Sequence, residues 1–127
     1  MGTNSSLIEA LAMDNSDFYQ AEHYLKLGLY PQAFEAFMAL EVGSFECTFL
    51  KPCMMAMDGQ LNQAQLDVLF NELEREVKNK NPQAIYNYGV VKGHFRDIAK
   101  ATSLLQLAMD LNVLEARGAL SRLLMKG

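Results

Sequence analysis

The sequence predicts an all-α protein built from antiparallel helical hairpins, and a pattern that occurs twice carries this prediction. In the segment 28–37, Gly28 can end one helix in the left-handed conformation, and Pro31 can begin the next with its φ angle already set. Because so short a turn joins the two helices, they must lie side by side in opposite directions. The segment 59–68 repeats the pattern 31 residues later, which predicts a second hairpin of the same kind.

Composition excludes several classes of protein. Half of the 127 residues are apolar and a fifth are charged, which is typical of a single globular domain spanning residues 1–127. The net charge of −4 disfavours nucleic acid as a partner, because phosphate binding needs clustered Lys and Arg. No apolar run approaches the roughly 20 residues that cross a bilayer, and residues 1–13 lack the basic start of a signal peptide. We therefore expect a cytoplasmic protein with no membrane partner.

The chain can be divided at its helix-breaking residues. A leading helix is predicted at residues 6–13, where a serine and a glutamate have the spacing of a capping box. Three hairpins are predicted after it, at about residues 17–42, 45–78 and 82–111. A final helix at residues 113–126 has no partner, which is typical of the capping element of a stacked array.

The first helix of the second hairpin is the least regular element. It is predicted at residues 45–57 with Ser44 as its cap, and it contains Pro52. A proline in a helix interior removes a hydrogen bond and clashes with the preceding turn, at a cost of about 3 kcal/mol. The sequence leaves open whether the helix is kinked at Pro52 or broken in two there.

No set of residues predicts catalysis, a metal site or a cofactor. If Cys47 and Cys53 share one helix, they are about 9 Å apart along its axis, which is too far for a disulfide, so we expect reduced thiols. Either thiol could in principle pair with His94, but no signature brings them together, and His23 has no nucleophile at a recognisable spacing. The sequence therefore predicts a non-enzymatic protein with no catalytic residues.

The three predicted hairpins resemble known helical repeats, the first two the tetratricopeptide repeat and the third the Sel-one-like repeat. The order Gly-x-Tyr-x-x-Ala-x-x-x-Phe at residues 28–37 resembles the centre of a tetratricopeptide repeat. The order Asp-x-x-Lys-Ala at residues 97–101 resembles the related Sel-one-like repeat, although the loop before it is shorter. This resemblance implies hairpins stacked as a short α-α superhelix of about seven or eight helices. The irregular intervals of 31 and 37 residues also allow an ordinary helical bundle.

The resemblance also implies a binding surface. In both families the stack binds other proteins, usually in a concave groove lined by the first helix of each hairpin. Mapped by register, the groove candidates are mostly apolar: Phe18, Glu22, Phe49, Cys53, Met57, Tyr86 and Val90. The Lys and Asn residues with which tetratricopeptide clamps hold an acidic tail are mostly missing from this set, which argues against such a clamp. An apolar groove fits an amphipathic helix or an extended apolar peptide. The same residues could instead pack as core.

The predicted function is a protein–protein interaction module, such as an adaptor, a chaperone or an immunity-type scaffold. The alternative is a structural subunit that buries the same apolar face in a homodimer, since an exposed apolar patch of several hundred Å² seldom stays free. In both cases the partner is a protein or a peptide, and neither a cofactor nor a metal is expected.

Overall fold

A computed structural model describes residues 16–42, 44 and 46–126 of the chain. These residues form seven α-helices and no strand, which confirms the predicted all-α fold class. The helices are α1 (residues 16–26), α2 (Tyr30–Glu41), α3 (Leu50–Met57), α4 (Gln63–Lys78), α5 (Pro82–His94), α6 (Ile98–Asp110) and α7 (Glu115–Lys126). The leading helix predicted at residues 6–13 lies outside the described residues. No helix of the described part is long and apolar enough to cross a membrane.

The helices pack as a series of stacked hairpins. α5 packs against α6 within one hairpin, and α4 packs against α5 of the next hairpin. α3 also contacts α5, and α5 contacts α7, so the first helices of successive hairpins lie side by side. α1 is joined to α3 by an ion pair between Glu22 and Lys51 (Oε2 to Nζ 3.2 Å). α1 is joined to α2 by the rings of Phe18 and Phe37, whose centres are 6.0 Å apart.

Five of the turns between helices share one backbone motif. In each, a residue just after the helix has a positive φ angle, and its amide and the next amide donate to carbonyl oxygens of the last helical turn, as in a Schellman motif. These left-handed residues are Gly28, Gly59, Lys80, Arg96 and Asn112. The predicted role of Gly28 as the end of the first helix is confirmed by its φ of 75°.

α3 begins at Leu50, five residues later than the helix predicted at residues 45–57. Residues 46–49 are not helical, and Phe49 takes the left-handed conformation (φ 56°) immediately before the helix. Pro52 therefore lies in the first turn of α3, where its missing amide hydrogen would have no intrahelical partner. Pro52 therefore neither kinks nor breaks α3, because no complete helical turn precedes it.

The core runs along the stack, and α5 is its central helix. α5 contacts α3, α4, α6 and α7 and contributes several buried side chains: Ala84, Ile85, Asn87, Tyr88 and Val91. The only amide among them, Asn87, donates from Nδ2 to the carbonyl oxygen of Thr48 at 2.9 Å. This bond ties the segment before α3 to the centre of the molecule, which places α3 beside α5.

Candidate functional site

An open depression lies between α3, α5 and α7, where the first helices of the hairpins form one layer. Its volume is about 380 Å³. The apolar and aromatic residues that line it are Met57, Tyr86, Val90, Leu105, Ala119 and Leu123. A hydrophobic surface of this shape can accept an apolar side chain of a ligand. We refer to it as the α3–α5–α7 depression.

Two glycines of α5 allow its neighbours to approach closely. A Cβ added at Gly89 would lie 2.9 Å from the Leu105 side chain of α6. A Cβ added at Gly93 would lie 3.3 Å from Cδ1 of Leu123 in α7. Because both positions lack a side chain, α6 and α7 pack tightly against α5 and help to line the depression.

The rim of the depression is basic. Arg96 in the turn after α5 and Arg122 of α7 line it, beside His94 at the end of α5, and no carboxylate of the described residues does. Lys92 is directed to α4 instead, where its Nζ lies 4.3 Å from the centre of the Phe70 ring. The depression therefore combines an apolar floor with positive charge, in a chain whose net charge is −4.

Five of the seven predicted groove residues are at least partly exposed, and three of these come together. Met57, Tyr86 and Val90 are partly exposed and line the same depression. Phe18 and Glu22 of α1 do not line it, because they are engaged with α2 and α3 respectively. The structure thus gathers the candidates from α3 and α5 and leaves those from α1 apart.

The other two predicted groove residues, Phe49 and Cys53, are core residues, which corrects the prediction. Each is 1% exposed. Phe49 precedes α3 instead of lying on it, so the helical register that assigned it to the groove does not apply. Cys53 lies on the face of α3 that is buried against the neighbouring helices. Phe49→Glu would therefore unfold the protein and cannot test a binding surface.

Sequence reasoning missed the basic residues of the rim. Arg96 lies in a turn, and Arg122 lies on the final, capping helix. Neither lies on the first helix of a hairpin, where the predicted groove residues are found. One signal could have found Arg96. The first two hairpins have glycine in the turn between their helices, at Gly28 and Gly59, and the third has arginine at the corresponding point.

Two other cavities are weaker candidates for the binding site. The larger of the two, about 610 Å³, lies beside the end of α4, and its charged groups have partners within the protein. Glu72 pairs with Arg75, and Glu76 accepts a hydrogen bond from Asn81. An apolar groove of about 490 Å³ lies between α2 and α4 and includes Val68, but it contains none of the predicted groove residues.

The two thiols are not activated for chemistry. Cys47 and Cys53 are both buried and free. Burial raises the pKa of Cys53 to about 12. Burial, together with the nearby Glu76 carboxylate, raises the pKa of Cys47, so both thiols stay protonated and weakly nucleophilic. Within the described part of the chain, no group of three or more His, Cys, Asp or Glu side chains could hold a metal ion.

Comparisons with known protein families, with curated proteins and with solved structures found no match. The function is therefore inferred from the geometry and chemistry of the depression alone.

Proposed function

We propose that this protein is a non-enzymatic protein–protein interaction module that binds a peptide or a helix of a partner in the α3–α5–α7 depression. An adaptor, a chaperone and an immunity-type scaffold are specific forms of this function. We further infer a helical-repeat stack of the tetratricopeptide or Sel-one-like kind. A cytoplasmic location fits the two unpaired cysteines, since free thiols persist in reducing compartments.

The observation that carries the proposal is the partial exposure of Met57, Tyr86 and Val90 in one open concavity. A partner side chain that covers such a surface removes apolar area from water, at about 0.8 kcal/mol for each buried methylene group. The apolar lining residues lie on packed helices, so little ordering of the protein is needed when a ligand binds.

The first test is a selection of peptides of about 12 residues from a random library displayed on phage, with the wild-type protein as bait. Val90→Glu places a charge on the floor of the depression and should abolish binding of the selected peptides. Because Val90 is partly exposed, the variant should retain the helical circular dichroism and the unfolding temperature of the wild type.

The matched control is Leu114→Glu, since Leu114 is 85% exposed in the turn between α6 and α7 and lies outside the depression. This variant introduces the same charge and should leave peptide binding unchanged. Selected peptides that bind Val90→Glu as well as they bind the wild type would contradict the proposed site. Loss of binding in Val68→Glu alone would move the site to the groove between α2 and α4.

The alternative function is self-association, in which apolar surface is buried in a homodimer. Val42 and Val68 favour it, because they are 47% and 49% exposed beside the α2–α4 groove and add apolar surface outside the depression. Light scattering at micromolar concentration discriminates between the two functions. A dimer that dissociates in Val68→Glu or Val90→Glu would support self-association, and a stable monomer would exclude it.

A further inference from the structure

We propose that the α3–α5–α7 depression binds an acidic–apolar segment of a partner protein. In this complex an apolar side chain fills the floor, and adjacent Asp or Glu side chains bind Arg96 and Arg122. The inference rests on the proposed peptide-binding function and adds the charge of the ligand to it. Two guanidinium groups on different elements suit two side-chain carboxylates better than the single carboxylate of a chain terminus.

Within the described residues, the guanidinium groups of Arg96 and Arg122 are not neutralised. The basic residues that form ion pairs there are Lys51, Arg75, Lys92 and Lys100. No described carboxylate lines the depression. The best match for such a guanidinium group is a carboxylate, which can accept two parallel hydrogen bonds from it.

The carboxylates on the neighbouring turn and helix have other partners. Asp97 accepts a hydrogen bond from the N–H of Lys100 at 3.4 Å, and it pairs with Nζ of Lys92 at 4.0 Å. Glu74 accepts from Tyr88 Oη and from Lys100 Nζ, each at 2.7 Å. Asp97 and Glu74 are therefore already paired within the protein.

Arg96 occupies a backbone position that favours glycine. Arg96 has a φ of 66° in the turn between α5 and α6. Gly28 and Gly59 occupy the same position in the turns of the first two hairpins, with the same pair of backbone hydrogen bonds. A side chain is strained in this conformation, whereas glycine is not. Lys80 and Asn112 take the same conformation in the turns between hairpins, and Arg96 differs from them because it lines the depression.

The test uses peptides selected from the phage-displayed library and synthesised with amidated C-termini, so that only side-chain carboxylates remain. The selected peptides should carry Asp or Glu beside Leu, Ile, Met or Phe. Replacing their acidic residues by Asn and Gln should weaken binding about three- to tenfold. Fluorescence anisotropy gives the dissociation constants. The affinity of the wild-type protein for these peptides should decrease as sodium chloride is raised from about 50 mM to about 500 mM.

Arg96→Gly is the most informative variant. It should weaken binding of the acidic peptides about three- to tenfold and remove much of the salt dependence. Its unfolding temperature should be unchanged or higher, because glycine relieves the backbone strain. If Arg96 had a purely structural role, Arg96→Gly would instead lower both the unfolding temperature and the affinity for the peptides. Arg122→Gln should also weaken binding, whereas Arg117→Gln, which removes the same charge from α7 outside the depression, should not.

The outcomes separate this inference from the proposed function. Neutral or basic peptides that lose binding to Val90→Glu but not to Arg96→Gly would overturn the charge inference and retain peptide binding. Peptides that need a free terminal carboxylate would overturn the assignment to acidic side chains. If no peptide distinguishes the wild type from Val90→Glu, both the charge inference and the proposed function fail.

Discussion

At the scale of single residues, Asn81 joins three parts of the molecule. Its Nδ2 donates to the carbonyl oxygen of Cys47 and to Oε1 of Glu76, each at 3.1 Å. Its Oδ1 accepts from the N–H of Ala84 and so caps α5. Glu76 is only 8% exposed, and the hydrogen bond from Asn81 offsets part of the cost of burying its carboxylate. Among the described residues, no buried side-chain nitrogen or oxygen lacks a hydrogen-bond partner.

Asn81→Ala should therefore lower the free energy of unfolding by about 2–4 kcal/mol, measured by urea denaturation. The variant loses a helix cap, worth about 1 kcal/mol, and it also leaves Glu76 and the Cys47 carbonyl with fewer donors. Asn62→Ala is the control, because Asn62 only caps α4 at an exposed site and its loss should cost about 1 kcal/mol. Equal losses in the two variants would show that Asn81 acts as a cap alone.

At the scale of elements, two glycines let α6 and α7 approach α5, which also contacts α3 and α4. The Cβ that Gly89 lacks would meet Cγ and Cδ2 of Leu105, both at 2.9 Å, and Leu105 is itself buried. Cγ is close to the backbone of α6, so it cannot turn away as the end of a long side chain can. The separation of α5 and α6 therefore depends on this glycine.

Gly89→Ala should destabilise the protein by about 1–2 kcal/mol, because overpacking outweighs the gain in helix propensity. Gly118→Ala in α7 is the control with the opposite expected sign. Its added Cβ would lie 3.4 Å from Nη1 of Arg122, the mobile end of a long side chain, so a gain of about 0.5–1 kcal/mol is expected. Thermal and urea unfolding measure both effects, and a stabilised Gly89→Ala would mean that α6 moves away without cost.

At the scale of the whole molecule, a polar cluster links three helices on the side of α5 that faces α4 and α6. Glu74 of α4 accepts from Lys100 of α6 and from Tyr88 of α5. The hydrogen bond from Lys100, together with the bond from Tyr88, lowers the pKa of Glu74 against the opposing effect of burial. Burial, followed by the Glu74 carboxylate, raises the pKa of Tyr88.

This cluster predicts a loss of stability in acid. A carboxyl group with a lowered pKa in the folded protein stabilises it above the unfolded pKa of about 4.3, and this contribution is lost as pH falls through the lower folded value. The free energy of unfolding of the wild type should therefore exceed that of Glu74→Gln at about pH 6, and the difference should shrink towards about pH 3. Urea unfolding across this range measures it.

The wild type must be compared with Glu74→Gln at each pH, because Glu41 changes the stability of the protein with pH in the opposite direction to Glu74. Burial raises the pKa of Glu41, so its contribution to stability grows as pH falls. The exposed Glu35→Gln serves as the control for the loss of one surface carboxylate. A difference for Glu74→Gln that stays constant from pH 6 to pH 3 would contradict the assigned role of the cluster.

Most of the helices could be predicted from the sequence, because local chemistry sets where a helix starts and stops. Gly28 and Gly59 end helices in the left-handed conformation, and Pro31 and Pro82 stand in first turns. The start of α3 could not be predicted in this way. The carbonyl oxygens of Cys47 and Thr48 are bound by Asn81 and Asn87, which are 34 and 39 residues away in the chain. These distant bonds hold residues 46–49 outside the helix.

The sequence by itself determined the all-α class, the order of the described helices and three residues of the candidate site, Met57, Tyr86 and Val90. The tertiary structure decided that Phe49 and Cys53 are core and that Arg96 and Arg122 line the same depression as these three. Helix formation depends on neighbours within a few residues, which a sequence pattern contains. Burial and the convergence of charges depend on contacts between hairpins, which exist only once the chain has folded.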